Sequence, residues 1–222
     1  MSYNRLQSQQ PTNLEWFYQQ YIDWIGLGCP INKNVIRLKL IANSSTQLDS
    51  LTHIENLPNL KYLNVQGNNL TEITSGIGQL KKLETLLIGS NKISQLPDEI
   101  GNCKQLKSLT ISRNNFKTLP KDIESCKNLT WLDCSNNQFE SIPVEVSTLY
   151  NLETVIFNNN LISDIPDGFF DNCINLYSLE LYRNKLTKIP DISNIETLEF
   201  FTINGNNIEN LPNTIGSMLK NE

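Results

Sequence analysis

Histidine is nearly absent from this chain: its 222 residues include one, His53. With no second histidine or placed cysteine, the sequence points to no nucleophile–base pair, and catalysis is not expected. No glycine-rich phosphate loop occurs. An excess of positive charge is missing too. Lys and Arg number 18 against 23 Asp and Glu, for a net charge of −5, which gives neither a nucleic-acid footprint nor a polybasic membrane segment. No stretch approaches the roughly 18 apolar residues of a membrane span. Met1 to Gln10 is polar and lacks the apolar core of a secretory signal. The five cysteines are an odd number with no CxxC pair, which argues against a disulfide framework and against zinc. These absences predict a soluble chain that works without nucleic acid, membrane, metal or cofactor.

What the sequence has instead is one short phrase, repeated eight times: apolar, two variable, apolar, one variable, apolar, two variable, asparagine. It reads Val35–Leu38–Leu40–Asn43, Leu60–Leu63–Val65–Asn68, Leu83–Leu86–Ile88–Asn91 and Leu106–Leu109–Ile111–Asn114. It continues as Leu129–Leu132–Cys134–Asn137, Leu152–Val155–Phe157–Asn160, Leu176–Leu179–Leu181–Asn184 and Leu198–Phe201–Ile203–Asn206. The fourth and sixth positions alternate inward with the period of a short strand. Neighbouring strands should pair in parallel about 4.8 Å apart. The asparagine follows as the chain leaves the strand. Its amide supplies both donors and an acceptor, so Asn43, Asn68, Asn91, Asn114, Asn137, Asn160, Asn184 and Asn206 should form a structural column.

Two more apolar positions follow seven of the eight asparagines, as in Ile93/Leu96 and Phe116/Leu119, and a proline follows six of these pairs. Proline fixes φ and removes a donor, which suits a return segment outside the ladder. Segments such as Asp98–Cys103 should then make one or two helical or 3₁₀ turns. Cys134 takes a strand position that is Val, Ile, Phe or Leu elsewhere. Cys103, Cys126 and Cys173 precede the next phrase by three residues, where Leu80 and Leu149 stand in other repeats. Cysteine is therefore read as a small buried hydrophobe, which points to a reducing compartment.

The phrase and its steps of 22 to 25 residues resemble the leucine-rich repeat (LRR), in its 23-residue LPxxI form. The resemblance covers Asn34 to the C-terminus. It implies an α/β fold, a curved solenoid with a concave parallel β-sheet and short helical or 3₁₀ convex segments. Leu48–Leu57 and the repeat from Leu176 depart from the LPxxI pattern and resemble the shorter, more helical repeats of phosphatase regulators. Residues 1–33 are expected to form an N-terminal helical cap and residues 34–222 the eight-repeat domain, as one continuous unit. In the cap, Thr12 and Glu15 fit a capping box. Leu14, Phe17, Tyr18, Tyr21, Ile22 and Ile25 recur at helical spacing from Pro11 to Trp24, and Trp16 and Trp24 read as cap packing. Ile215 and Leu219 make only a slight C-terminal cap, so the expected state is a monomer or a weak dimer through that end.

The resemblance implies a non-catalytic scaffold that binds another protein on its concave face. The outward residues are the variable letters of the phrase. Trp131 stands out among them, with Leu87, Asp133 and Ile156 near it. Tyr62, Arg113, Glu180, Tyr182 and Arg183 complete the candidate face, since tryptophan, tyrosine and arginine dominate binding hot spots. Asp133 and Glu180 lie two repeats apart, about 10 Å, with nothing to make them an acid–base pair. Two settings are open. One resembles bacterial LRR effectors, delivered into a host cell by a non-classical route. The other resembles intracellular Ras-pathway or phosphatase-binding regulators, in the cytoplasm. The alternative of a different class is a substrate-recognition or regulatory fragment of a larger multidomain enzyme or signalling protein.

Overall fold

The computed structural model describes residues 14–42, 47–165, 169, 171–188, 192 and 195–209. Nine short strands form one open parallel sheet in chain order. They are β1 (Glu15–Trp16), β2 (Arg37–Lys39), β3 (Tyr62–Asn64), β4 (Thr85–Leu87) and β5 (Ser108–Thr110). β6 (Trp131–Asp133), β7 (Thr154–Ile156), β8 (Ser178–Glu180) and β9 (Phe200–Thr202) follow. From β2 onward the register links equivalent letters of the phrase: Tyr62, Thr85, Ser108 and Trp131 are successive partners, as are Leu63, Leu86, Leu109 and Leu132. From β2 onward each strand is three residues long, the third to fifth letters of the phrase.

Strand alternation sends one face into the core. Leu63, Leu86, Leu109, Leu132, Val155 and Leu179 are fully buried, as are Val65, Ile88, Ile111, Cys134, Phe157 and Leu181. The return path adds Ile93, Phe116, Phe139 and Ile162 to one continuous core. Phe139 and Phe157 meet edge to face with centroids 5.2 Å apart, an arrangement favoured by the ring quadrupoles. The convex side is a series of 3₁₀ segments, Ser75–Gln79, Asp98–Asn102, Lys121–Ser125 and Val144–Thr148. Gly101 is required there, because a Cβ would run into the backbone of Asp122 in the next segment.

The asparagines tie the strand ends together. Asn114 donates from Nδ2 to the carbonyls of Ile88 and Ile111, both at 3.0 Å, and its Oδ1 accepts from the N–H of Ile93 at 2.9 Å. Asn137, Asn160, Asn184 and Asn206 repeat this pattern one coil at a time, and Asn68 and Asn91 do the same. Asn43, with which the column would begin, lies outside the described residues.

Three expectations need correction or bounds. The N-terminal helix, α1, spans Tyr18–Gly26, not Pro11 to Trp24. Glu15 and Trp16 are instead a strand paired with Arg37 and Leu38, so Glu15 cannot serve a capping box; Thr12 lies outside the described residues. The sheet edge at Arg37–Leu38 offers ladder partners, and those outweigh one more helical turn. The buried set is accordingly Trp16, Tyr21 and Trp24, while Leu14 and Phe17 are exposed. Trp24 lies 5.9 Å from Trp16 and 5.7 Å from Tyr21. Trp24 Nε1 donates to the Pro30 carbonyl at 2.8 Å, and the Tyr21 hydroxyl to that of Thr52 at 3.1 Å. The Leu48–Leu57 stretch is less helical than expected, with only the 3₁₀ turn Ile54–Asn56. Its counterpart, Ile189–Ile195, falls largely outside the described residues, as do Ile215 and Leu219.

Replacing Leu109 by Ala should lower unfolding free energy by about 2–5 kcal/mol through the cavity left between strands. Asn114→Ala should cost roughly 2–4 kcal/mol, because two carbonyls and one N–H lose their partner in a buried site. Urea titration followed by circular dichroism measures both.

Candidate functional site

With alternate letters buried, the third and fifth letters project from the open face of the sheet. The third row runs Arg37, Tyr62, Thr85, Ser108, Trp131, Thr154, Ser178, Phe200, and the fifth Lys39, Asn64, Leu87, Thr110, Asp133, Ile156, Glu180, Thr202. Trp131 is 43% exposed although it lies in the middle of the sheet. Its register partners explain this: Ser108 on one side and Thr154 on the other are too short to cover an indole. Leu87 and Ile156 are half-buried in the adjacent row, two repeats and one repeat from Trp131. Asp133 shares its strand, and one carboxylate oxygen accepts from the Ser135 N–H at 2.9 Å.

Of the remaining candidates the structure sets Tyr62 furthest from this centre, whereas Glu180 is the register partner of Ile156. Tyr62 is three repeats away, about 14 Å, and belongs to a charged cluster at the N-terminal end. There Glu15 takes Lys39 Nζ at 2.7 Å and Arg37 Nε at 3.2 Å, and the Arg37 guanidinium lies 4.1 Å from the Tyr62 ring centroid. The hydrogen bond from Lys39 is the main cause that holds the Glu15 carboxyl below its ordinary range, and burial opposes it. Toward the other end, Glu180 Oε2 accepts from Asn158 Nδ2 and Asn158 Oδ1 accepts from the Tyr182 N–H, both at 2.7 Å. The Arg183 guanidinium stands 4.8 Å from the Tyr182 ring centroid, within cation–π range.

Arg113 and Arg183 occupy the eighth letter, whose backbone is left-handed with φ of 55° and 53°. Gly67 and Gly205 take the same place with φ of 74° and 75°, so the turn itself needs no side chain. Both arginines are exposed and reach out from the rim of the sheet.

Two features escaped the reading of the sequence. Asn158 braces Glu180 against Tyr182. A second asparagine row precedes the phrase: Asn59, Asn128, Asn151 and Asn175 donate to the carbonyls of Lys33, Lys104, Lys127 and Tyr150 in the preceding coil at 2.8, 2.8, 2.8 and 3.0 Å. The recurring Asn-Leu dipeptide at the start of the phrase was its visible trace.

Chemically reactive groups are muted. Cys29, Cys103, Cys126, Cys134 and Cys173 are all buried thiols. Burial pushes Cys103 up to about 12 and Cys126 and Cys173 up to about 11, with Cys134 well above its ordinary value. Cys103 and Cys126 donate to the carbonyls of Ile77 and Ile100 at 3.3 and 3.5 Å. His53 is exposed, 3.7 Å from Glu55. Among the described residues no three His, Cys, Asp or Glu side chains gather as a metal site, and no helix is long and apolar enough to cross a membrane.

Family models agree with this architecture. One described as a leucine-rich repeat region matches residues 34–115, and another, of two leucine-rich repeats, matches 127–172. Two more, each described as a leucine-rich repeat, match 150–208 and 105–126. No curated protein matches the chain. Among solved structures, an LRR protein of Leptospira interrogans is 30% identical with a TM-score of 0.70, over 84% of this chain and 53% of that one. The functional domain of InlJ from Listeria monocytogenes, which includes a cysteine ladder, is 26% identical with a TM-score of 0.64, over 84% and 43%. The plant peptide hormone receptor RGFR1, in complex with RGF2, shares the fold at 23% identity and TM-score 0.66, over 84% and 35%. The chain thus spans about half the length of the Leptospira structure and less of the other two.

Because only the thiolate reacts, iodoacetamide at pH 8 should modify none of the five cysteines in the folded protein and all five in denaturant. Intact-mass spectrometry counts the adducts.

Proposed function

We propose that this chain, which belongs to the leucine-rich-repeat family, is a non-catalytic scaffold that binds a partner protein through its concave sheet, with Trp131 as the anchor. LRR domains are generally protein-interaction modules. The observation that carries the finer reading is the exposure of Trp131 between Ser108 and Thr154. A rigid aromatic exposed between two short neighbours can be enclosed by a partner, and such residues supply much of the energy of an interface. Leu87 and Ile156 extend the apolar contact. Asp133, Arg113 and the Glu180–Tyr182–Arg183 group supply a polar rim. Tyr62 is too far away and too engaged with Arg37 to share the centre, so we place it at the margin.

The sheet spans about 34 Å from β2 to β9, enough for a globular partner burying about 800 Å² on this side. Of the settings open to an LRR chain, the bacterial one is favoured, a protein delivered to act on host proteins, because the Leptospira and Listeria proteins are similar to this chain. The buried thiols favour a reducing compartment for its work. We take the working form to be a monomer; the exposed Phe200 on β9 is where a weak dimer would form.

Trp131→Ala should weaken binding of a verified partner at least tenfold, and Tyr182→Ala by a smaller factor, with unchanged melting temperatures. Isothermal titration against wild type reads this, and full affinity in Trp131→Ala would refute the concave anchor.

A further inference from the structure

We infer that the flank of the solenoid, beside the concave sheet, holds a cation-reading groove whose occupant is an extended, arginine- or lysine-bearing segment of a partner polypeptide. The groove encloses about 990 Å³ and runs across five repeats, from Gln105 and Lys107 to Thr197 and Glu199. It is lined by the residue before each phrase and by the phrase's second letter.

Its charged hydrogen-bonding groups toward the C-terminal end are all acceptors. Asn128, Asn151 and Asn175 have committed an amide N–H to backbone carbonyls of the coil before. Only an amide nitrogen can donate to a carbonyl, so each amide keeps its oxygen and one N–H for a ligand. The hydroxyls of Thr130 and Thr197 are likewise spent on the carbonyls of Lys107 and Leu176, at 3.3 and 2.9 Å. Thr154 lines the same groove, is only 9% exposed, and its hydroxyl has no partner among the described residues. The charged groups at this end of the groove, the carboxylates of Glu153 and Glu199, are acceptors only. A ligand that satisfies them must bring donors.

The row of second letters contains its own comparison. In the N-terminal half, Glu84 is flanked in adjacent coils by Lys61 and Lys107, each at 3.0 Å. In the C-terminal half the row runs Glu153, Tyr177, Glu199, and among the described residues neither carboxylate has a cation. Tyr177 stands between them, 41% exposed. Its ring meets that of Phe200 edge to face with centroids 5.1 Å apart, and burial, with the Glu199 carboxylate beside it, pushes its hydroxyl above the ordinary range. An aromatic ring between two carboxylates, each about 4.8 Å away along the stack, suits a guanidinium or ammonium group. The partner's cation takes the place here that lysines take beside Glu84. Lys107, at the other end, sets the direction in which a basic segment lies.

The site is separate from the Trp131 anchor, and the experiment distinguishes them. A short fluorescent peptide of alternating glycine and arginine, acetylated and amidated, is titrated against the full chain by anisotropy, beside a twin with citrulline for arginine. The arginine peptide should saturate, and the citrulline twin should bind at least tenfold more weakly. The double variant E153Q/E199Q should lose at least tenfold. D98N/E99Q, which removes the same charge from the convex side, and W131A should stay within twofold of wild type. Equal losses from the two double variants would reduce the effect to bulk charge and overturn the proposal, as would equal binding of the citrulline twin or failure to saturate. A loss confined to W131A would assign the peptide to the concave face, ending this inference and leaving the proposed function standing.

Discussion

Everything in this molecule depends on how each coil is fastened to the one before it. Apolar burial drives stacking, but it is nondirectional and would tolerate neighbouring coils sliding past each other. The asparagine column does not. Asn137 donates to Ile111 and Cys134 and accepts from Phe116, so one side chain joins two successive strand ends and the start of the return path. Each bond sits where the ladder has ended and water is excluded, the condition under which an unpaired group costs most. The second row, Asn59 to Asn175, fastens the strand entrances in the same direction. A three-residue strand pinned at both ends has little freedom of register. That is how Tyr62 and Phe200, in the second and eighth repeats of the phrase, come to lie in one row.

This fastening explains which parts of the molecule were legible in the sequence. Buried letters obey a period, and a period can be read without coordinates. The strand phrase, the inward alternation and the cysteines that substitute for leucine all follow from it. The N-terminal segment has no period of its own to obey. Leu14, Phe17, Tyr18, Tyr21, Ile22 and Ile25 fit a helix on spacing alone, yet Glu15 and Trp16 are drawn into the sheet by the free edge of Arg37–Leu38. A tertiary edge outweighed a local propensity, and no local pattern records such an edge. Asn158 went unread for a related reason: its role depends on Glu180 and Tyr182 in the next coil, 22 and 24 residues away.

The candidate face was legible as a set of positions but not as a site. Alternation names the outward letters, and the register confirms their rows. What it cannot supply is which of them are free. Tyr62 and Trp131 look equivalent in the phrase, since both are aromatic third letters. The difference lies in their neighbours. Tyr62 has Arg37 stacked on it, whereas Trp131 has a serine and a threonine. Exposure in a solenoid is a property of three consecutive coils, so a single repeat never announces it.

The same reasoning separates stability from recognition here. The fourth and sixth letters are fully buried from the first phrase to the seventh, and changing one disturbs two interfaces of the stack. The second, third and fifth letters touch mainly their row neighbours, so their chemistry can vary from coil to coil at little cost to the fold. Rows therefore carry information as gradients along the stack. The second row passes from a lysine–glutamate–lysine network to a pair of carboxylates around Tyr177. The third passes from Arg37 and Tyr62, through small residues broken by Trp131, to Phe200. Two such gradients, side by side on a rigid frame, give one end of the molecule a different surface from the other although the coils beneath them are nearly identical. A partner that reads both rows is thereby fixed in position and direction along the stack, which one exposed tryptophan alone would not achieve.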